Sequence, residues 1–271
     1  MENMEHFAII ESNKVIKPRI VAVDVRGNDE KITNDMSQEQ IPGIDLILAN
    51  MDEDASHENF RETLKGTDIV FIVMSSDTEI VSVHIAKIAK EAGALTIAIV
   101  DKTFSYEALK SVVDSLVVFP NDKAISSIDS IYAKVINGIS GVILAKGEDD
   151  INLDSLDLKT IMCRGGIAIT SIGEYRGMNA AVEAINSAMK SPLLIMPIKK
   201  ASGILVNFHM HSEYPFMNIS SALEVIHKSI DDSADIIFGT TTDKSLPLDF
   251  IHITLLATGF EKRAMVAVNN I

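Results

Sequence analysis

The run Ile69-Val70-Phe71-Ile72-Val73-Met74, followed at once by Ser75-Ser76-Asp77-Thr78-Glu79, decides the reading of this chain. The six apolar residues make too short a run for a helix. They are too uniformly apolar for a strand with one wet face, and read as a strand buried on both sides, as in a parallel sheet. The hydroxyls and carboxylates that follow favour the cap and first turn of a helix, where the acids also meet the positive end of its dipole. In a strand–loop–helix unit that loop is where backbone N–H groups can cradle a phosphate, and glycine lets the backbone close on it. No glycine stands here, and the acids would repel a phosphate.

The same texture extends outward. Residues 20–25 (IVAVDV), 44–48 (IDLIL), 96–100 (TIAIV) and 115–119 (SLVVF) read as further buried strands, punctuated by Pro42-Gly43, Gly66, Gly93 and Pro120-Asn121. Helical stretches at 56–64 and 79–92 lie between them, so the first half reads as a doubly wound α/β domain. A long helical pattern over 125–146 ends at Gly147 and the acids Glu148-Asp149-Asp150. Beyond it, helices at 178–189 and 219–230 and strands at 203–209, 235–239 and 249–257 read as a smaller α+β domain, with another element starting at 156–162. The expected organisation is an N-terminal extension over 1–17, a parallel-sheet domain over 18–124, a central helix over 125–150 and a second domain over 151–271.

Composition narrows the function. The formal charge is −14, from 24 Lys and Arg against 38 Asp and Glu. Such a chain gains nothing from counterion release on nucleic acid and is repelled by anionic lipid, so neither is an expected partner. One cysteine, Cys163, excludes a disulfide framework and a cysteine metal cluster. The first residues are too acidic for a signal peptide, and no apolar run reaches the roughly 20 residues of a membrane span. A cytoplasmic protein is expected. The 14 glycines in 271 residues fall below the usual share of about 7%.

Candidate sites are few. After the first strand comes Asp24-Val25-Arg26-Gly27-Asn28-Asp29-Glu30, with one glycine among three acids. Past the central helix, Asn152-Leu153-Asp154-Ser155-Leu156-Asp157 sets two carboxylates and an amide near one another; they can polarise a water or simply cap the helix that follows. His209 and His211 alternate on a strand and face one side, but no third ligand accompanies them and no metal is expected. Cys163 has Arg164 beside it and no nearby histidine, and reads as a buried or inert thiol.

Several segments together resemble the FtsZ branch of the tubulin superfamily. Lys17-Pro18-Arg19-Ile20-Val21-Ala22-Val23 is similar to that family's first strand, and Gly66-Thr67-Asp68-Ile69-Val70-Phe71-Ile72 to its G-A-D-M-V-F-I strand. Residues 85–90 with Gly93-Ala94-Leu95-Thr96 resemble the helix and strand that follow. Val113-Asp114-Ser115-Leu116 and Pro120-Asn121-Asp122-Lys123 are similar to its V-D-S-L and P-N-D-K stretches. Further on, Ser191-Pro192-Leu193-Leu194, Gly203-Ile204-Leu205-Val206-Asn207, Ile237-Phe238-Gly239-Thr240 and Ala257-Thr258-Gly259-Phe260 resemble S-P-L-L, G-V-L-V-N, V-I-G-T and A-T-G. The matches fall in the family's order over residues 17–261.

The resemblance implies an FtsZ/tubulin-like α/β fold: a parallel-sheet N-terminal domain, a long central helix and a smaller α+β C-terminal domain. It also implies head-to-tail stacking, in which an N-x-D-x-x-D loop completes the hydrolytic site on a neighbour's nucleotide. Asn152, Asp154 and Asp157 occupy that loop, which tips it toward a catalytic role in trans. The nucleotide half departs from the family. G-G-G-T-G-[ST]-G is expected where Ser75-Ser76-Asp77-Thr78-Glu79 stands. The first glycine loop is reduced to Gly27 and Asn28, and the stretch from Asn50 to Gly66 is about 20 residues shorter, in line with loop-length economy. A helix between Lys110 and Val113 is also missing. Glu107 matches the ribose-contacting Glu, but Ser111 stands where an Arg should follow; Asp129 and Ser130 lie near the purine position. With the chain ending at Ile271, the family's linker and C-terminal peptide are not expected.

The expectation is therefore a degenerate FtsZ-like protein of the cell-division cytoskeleton, a pseudo-GTPase with no cofactor and no metal. Gly27, Asn28 and Glu107 are vestigial positions, and the acidic loop docks on a true FtsZ subunit or on a copy of the chain itself. The alternatives are a genuine GTP-binding, filament-forming GTPase with altered phosphate loops, and a stand-alone scaffold whose 152–157 loop is only a cap.

Overall fold

Apolar strands with few charges pair side by side, and here they do so in chain order through most of the first half. The computed structural model describes residues 18–25, 43–49, 57–74, 76–101, 106–119, 128–144, 150–151, 155–164, 166–191 and 193–260. The expected extension over 1–17 lies outside them. Strands β1 (Ile20–Asp24), β2 (Ile44–Leu48), β3 (Ile69–Val73), β4 (Leu95–Asp101) and β5 (Ser115–Phe119) are parallel and lie in the order β2-β1-β3-β4-β5. Alternate residues feed two cores. Ile20, Ala22, Ile69, Phe71, Ile97, Ile99 and Val117 face one side, and Val21, Val23, Val70, Ile72, Ala98 and Val118 the other. Burial on both faces is why these strands read as continuous apolar runs.

The second face is covered by α1 (His57–Leu64), α2 (Glu79–Glu91) and the single turn α3 (Glu107–Lys110), through Phe60, Leu64, Ile85, Ile88, Ala89 and Leu109. The first face is covered by α4 (Ile128–Leu144) and α5 (Ser155–Met162). Tyr132, Val135, Ile136, Ile139 and Ile143 of α4 recur at three-to-four spacing and are buried there with Leu158 and Ile161.

The remaining strands are β6 (Ile167–Arg176), β7 (Gly203–Met210), β8 (Asp235–Thr242) and β9 (Phe250–Thr258), ordered β6-β9-β7-β8. Helices α6 (Ala180–Met189) and α7 (Phe216–Ser229) pack on one side of them, around Ile185, Phe208, Ile219 and Ile253. Strand β6 is the joint: it pairs with β5 in parallel through Leu116–Ile167 and Val117–Ala168, and with β9 antiparallel along Ile169–Arg176. The result is one sheet of nine strands. The sequence reading does not contain β6. Its run IAITSIGEYR mixes hydroxyls and a glycine into the apolar pattern, which weakens the strand signal. Gly173 is required by packing: a Cβ there would strike the Ala184 carbonyl of α6 and lie 2.7 Å from the Ala188 nitrogen.

The free side of β6-β9-β7-β8 receives α4 itself. Lys134 lies 3.9 Å from Glu174 of β6, Gly138 faces Thr254 of β9, and Gly141 faces Asn207 of β7 and Thr241 of β8. The helix thus crosses four strands between Lys134 and Gly141, and its two glycines allow the close approach. A Cβ at Gly138 would fall on the Thr254 side chain, 2.6 Å from its Cβ.

Two consequences are measurable. Gly138→Ala gains roughly 1 kcal/mol of helix propensity, but overpacking against Thr254 costs about 1–3 kcal/mol, so the urea midpoint is expected to fall. Adding Thr254→Ala should restore only part of the loss, because the Thr254 Cβ is itself in the way. The second concerns Asp114, whose carboxylate accepts the Thr96 backbone N–H at 2.9 Å and the Thr96 hydroxyl at 2.8 Å, with Lys90 Nζ at 3.2 Å. Burial pushes this carboxyl up, but the hydrogen bonds from Thr96 and Lys90 together outweigh it and hold the group below its ordinary 3.8. A lowered folded value gives stability that is present above 3.8 and lost as pH falls through the folded value. Asp114→Asn should cost about 1–3 kcal/mol at neutral pH, and its gap to the parent in urea melts should narrow below ~pH 4.

Candidate functional site

In an open parallel sheet, ligands bind outside the carboxyl ends of the strands where the strand order reverses. Here β1 has β2 on one side and β3 on the other, so the reversal lies between β1 and β3. Asp24 closes β1 at that edge with only 3% exposure. Its carbonyl accepts the Ala49 N–H at 2.9 Å, and the next residue, Val25, donates to the Val73 carbonyl at 2.9 Å, so the edge is zipped by backbone bonds. After β3 a 3-10 turn, Ser76–Thr78, runs directly into α2. Asp77 stands exposed in that turn, and Glu79 opens the first turn of α2.

The expected cap is present only in part. Thr78 occupies the cap position, buried, but makes no side-chain cap bond; its carbonyl instead accepts the Ser82 hydroxyl at 2.8 Å. The i→i+3 bonds of the 3-10 turn serve the backbone where a side chain would otherwise do so. Glu107 begins α3 after β4, at the same edge, and is exposed. Gly27 and Asn28 lie outside the described residues, as do Asp29 and Glu30.

Asp157 belongs to the other end of the molecule. Helix α4 has 17 residues and spans about 25 Å at 1.5 Å per residue. It starts beyond the carboxyl end of β5. At its far end Leu144 lies beside Gly43, where a Cβ would come within 3.4 Å of it, just ahead of β2. Ile151 donates to the Thr240 hydroxyl at 2.7 Å and accepts the Thr240 N–H at 3.0 Å, which anchors the approach to α5 on β8. Asp157, in the first turn of α5, is exposed next to Leu156, itself 68% exposed. Asn152 and Asp154 lie outside the described residues. Asp157 and Glu107 are therefore not brought together: they stand toward opposite ends of α4.

The histidines fall differently from expectation. His209 lies on β7, but His211 follows the strand's end, and its Nδ1 accepts the Glu213 N–H at 3.0 Å in the turn. The partner of His209 is His252, opposite it on β9, with ring centroids 6.3 Å apart. His252 Nδ1 lies 2.9 Å from Glu174 on β6. That trio is invisible to a reading that lacks β6. Among the described residues no group of three or more His, Cys, Asp and Glu gathers to hold a metal ion, and no helix is long and apolar enough to cross a membrane. Cys163 is exposed rather than buried. Partial burial of the sulfur, with Asp114 nearby, pushes its thiol above the usual range, which keeps it unreactive.

A doubly wound parallel sheet and a helix crossing from it onto a second four-stranded half make the tubulin/FtsZ class of fold. FtsZ from M. jannaschii, solved as an empty dimer, superposes with a TM-score of 0.78 at 24% identity, covering 92% of this chain and 90% of that one. CetZ2 from Haloferax volcanii, a GTPγS-bound protofilament, superposes at 0.63 with 11% identity over 93% and 99% of the two chains. Residues 166–261 match the FtsZ family, C-terminal domain. The cell division protein FtsZ of Helicobacter pylori (strain J99) is 34% identical over 77% of this chain, and the match spans 62% of that protein's length. The chain is an FtsZ-like protein of the tubulin/FtsZ superfamily.

Proposed function

We propose that this chain is a degenerate FtsZ-like subunit that has lost GTP binding and works through protein contact. Its loop of Asn152, Asp154 and Asp157 docks on the nucleotide face of a true FtsZ subunit. The observation that carries this reading is the start of α2 at the reversal point, where Asp77 and Glu79 stand and no glycine does. A helix N-terminus attracts anions through its free N–H groups and its dipole. Carboxylates already there neutralise that attraction and repel a triphosphate, and side chains in place of glycine keep the backbone from closing around it. The separation of the two ends gives the subunit a direction. One end presents acids to a neighbour's nucleotide; the other has none to present in return. Such a subunit ends a filament or alters its hydrolysis, in the cytoplasm, without nucleic acid, membrane or metal.

A second reading, a GTPase with altered phosphate contacts that stacks on itself, is favoured by the neighbours of the same fold. CetZ1 and CetZ2 of Haloferax volcanii were solved with GDP and with GTPγS. Calorimetric titration of the full chain with GTP and GDP in magnesium buffer separates the two: no heat is expected, and micromolar binding overturns the first reading. Docking is tested with FtsZ from the same cell. Added chain should change that protein's GTPase rate, and Asp154→Ala and Asp157→Ala should each remove the change. If the parent chain leaves the rate untouched, the regulator reading fails.

A further inference from the structure

The seam between α4 and the second half of the sheet is polar where most seams are apolar. Under the helix lie Glu174 on β6, His252 and Thr254 on β9, Asn207 and His209 on β7, and Thr241 on β8. The helix contributes Gly138, Gly141 and Lys134. Thr241 donates its hydroxyl to the Gly141 carbonyl at 3.3 Å or to Asn207 Oδ1 at 3.2 Å, and is itself opposite His209 in the β7–β8 register. We infer that His209, beside His252, makes this seam proton-sensitive: it holds closed while His252 Nδ1 is paired with Glu174 and the His209 ring is uncharged, and loosens when His209 takes a proton.

The charges that face the pair support this. Glu174 lies 2.9 Å from His252 Nδ1 and 3.9 Å from Lys134 on α4. That one carboxylate already serves two partners. His209, half-buried, has His252 at 6.3 Å between ring centroids; the acids acting on it are Asp243 beyond β8 and Asp150 ahead of α5, and His211 lies just past the end of its strand. Burial first, and then His252, disfavour the imidazolium of His209 and outweigh Asp243 and Asp150. A lowered folded value means that stability is fully present above that group's ordinary 6.5 and is drawn down as pH falls through 6.5 toward the folded value. The species that accepts the proton on His209 is the one in which the ring has left the seam for Asp243, Asp150 and water. Both acids lie at the loop edge. Asp150 adjoins Ile151, whose two bonds to Thr240 fix it to β8, next to Thr241. Opening at His209 therefore reaches the segment that leads to Asp157. This inference stands whether or not the chain binds GTP.

Hydrogen exchange on the full chain, corrected for the intrinsic pH dependence of exchange, tests it. Between ~pH 7.5 and ~5.5, peptides from α4, from β9 and from the start of α5 should exchange several-fold faster, while those from β3 and β4 hold steady. His209→Gln should abolish the increase. An unchanged increase in His209→Gln, a uniform increase over the whole chain, or none in the parent overturns the inference. Should His209→Gln fail to fold, NMR titration of the parent's histidine rings decides. His209 should titrate below 6.5, and higher in His252→Gln. Titration at or above its ordinary value, or no movement in that variant, refutes the coupling.

Discussion

Everything in this molecule is arranged around a helix that must serve two surfaces of opposite character. One side of α4 is a stripe of Tyr132, Val135, Ile136, Ile139 and Ile143, buried against the parallel strands. The other side is bare at Gly138 and Gly141, where it crosses β9, β7 and β8. Burying the apolar stripe supplies the driving force, at about 25 cal/mol per Å² removed from water. The bare side adds little of that kind. Its contribution is geometric: with no Cβ in the way, the backbone comes down onto Thr254, Asn207 and Thr241, and polar groups rather than methyls form the contact. Two interior glycines cost helix propensity, so the close contact must offset it. A helix built this way is fixed firmly to one half of the sheet and tuned more finely against the other.

What could be read from the sequence follows the same division. The parallel strands are nearly all legible, because burial on both faces leaves runs such as IVFIV at Ile69–Val73 with no competing explanation. The structure trims or extends them by a residue or two. The crossing helix is legible from its spacing. β6 is not, because its residues answer to two neighbours at once: it opens against β5, then changes partner to β9, and carries Gly173 where α6 presses on it. A strand whose composition is set by packing rather than propensity leaves a weak local signal. The Glu174–His252–His209 group disappears with it, since its members are 35 and 43 positions apart in sequence (174 to 209, 209 to 252) and meet only through strand pairing. The cap at Thr78 was legible as a helix start but not in its bonding, because the 3-10 turn ahead of α2 is a backbone event that residue preferences do not encode.

The two ends of the molecule also differ in what evidence could reach them. At the reversal point the sequence alone names Asp77, Glu79 and the want of glycine, and the strand order then says why that spot matters: it is where a sheet of this kind accepts ligands. At the opposite end, spacing alone leaves the acidic loop undecided between a cap and a site. The structure adds that Asp157 is exposed in the first turn of α5 and that Ile151 is clamped to Thr240.

That anchoring bears on how an acidic end can be useful at all. Carboxylates at the start of a helix are stabilised by its dipole, and Asp157 stands exposed in the first turn of α5. Yet a chain carrying −14 overall also presents acids at its other end, in Asp77, Glu79 and Glu107. End-to-end stacking of two such chains would set acid against acid across the joint, and at contact distances that repulsion is not screened by salt as it is beyond a Debye length. A partner that brings a magnesium-bound nucleotide or a basic surface reverses the sign. Acids at both ends thus make end-to-end stacking of this chain on itself electrostatically costly unless a cation or a basic surface enters the joint.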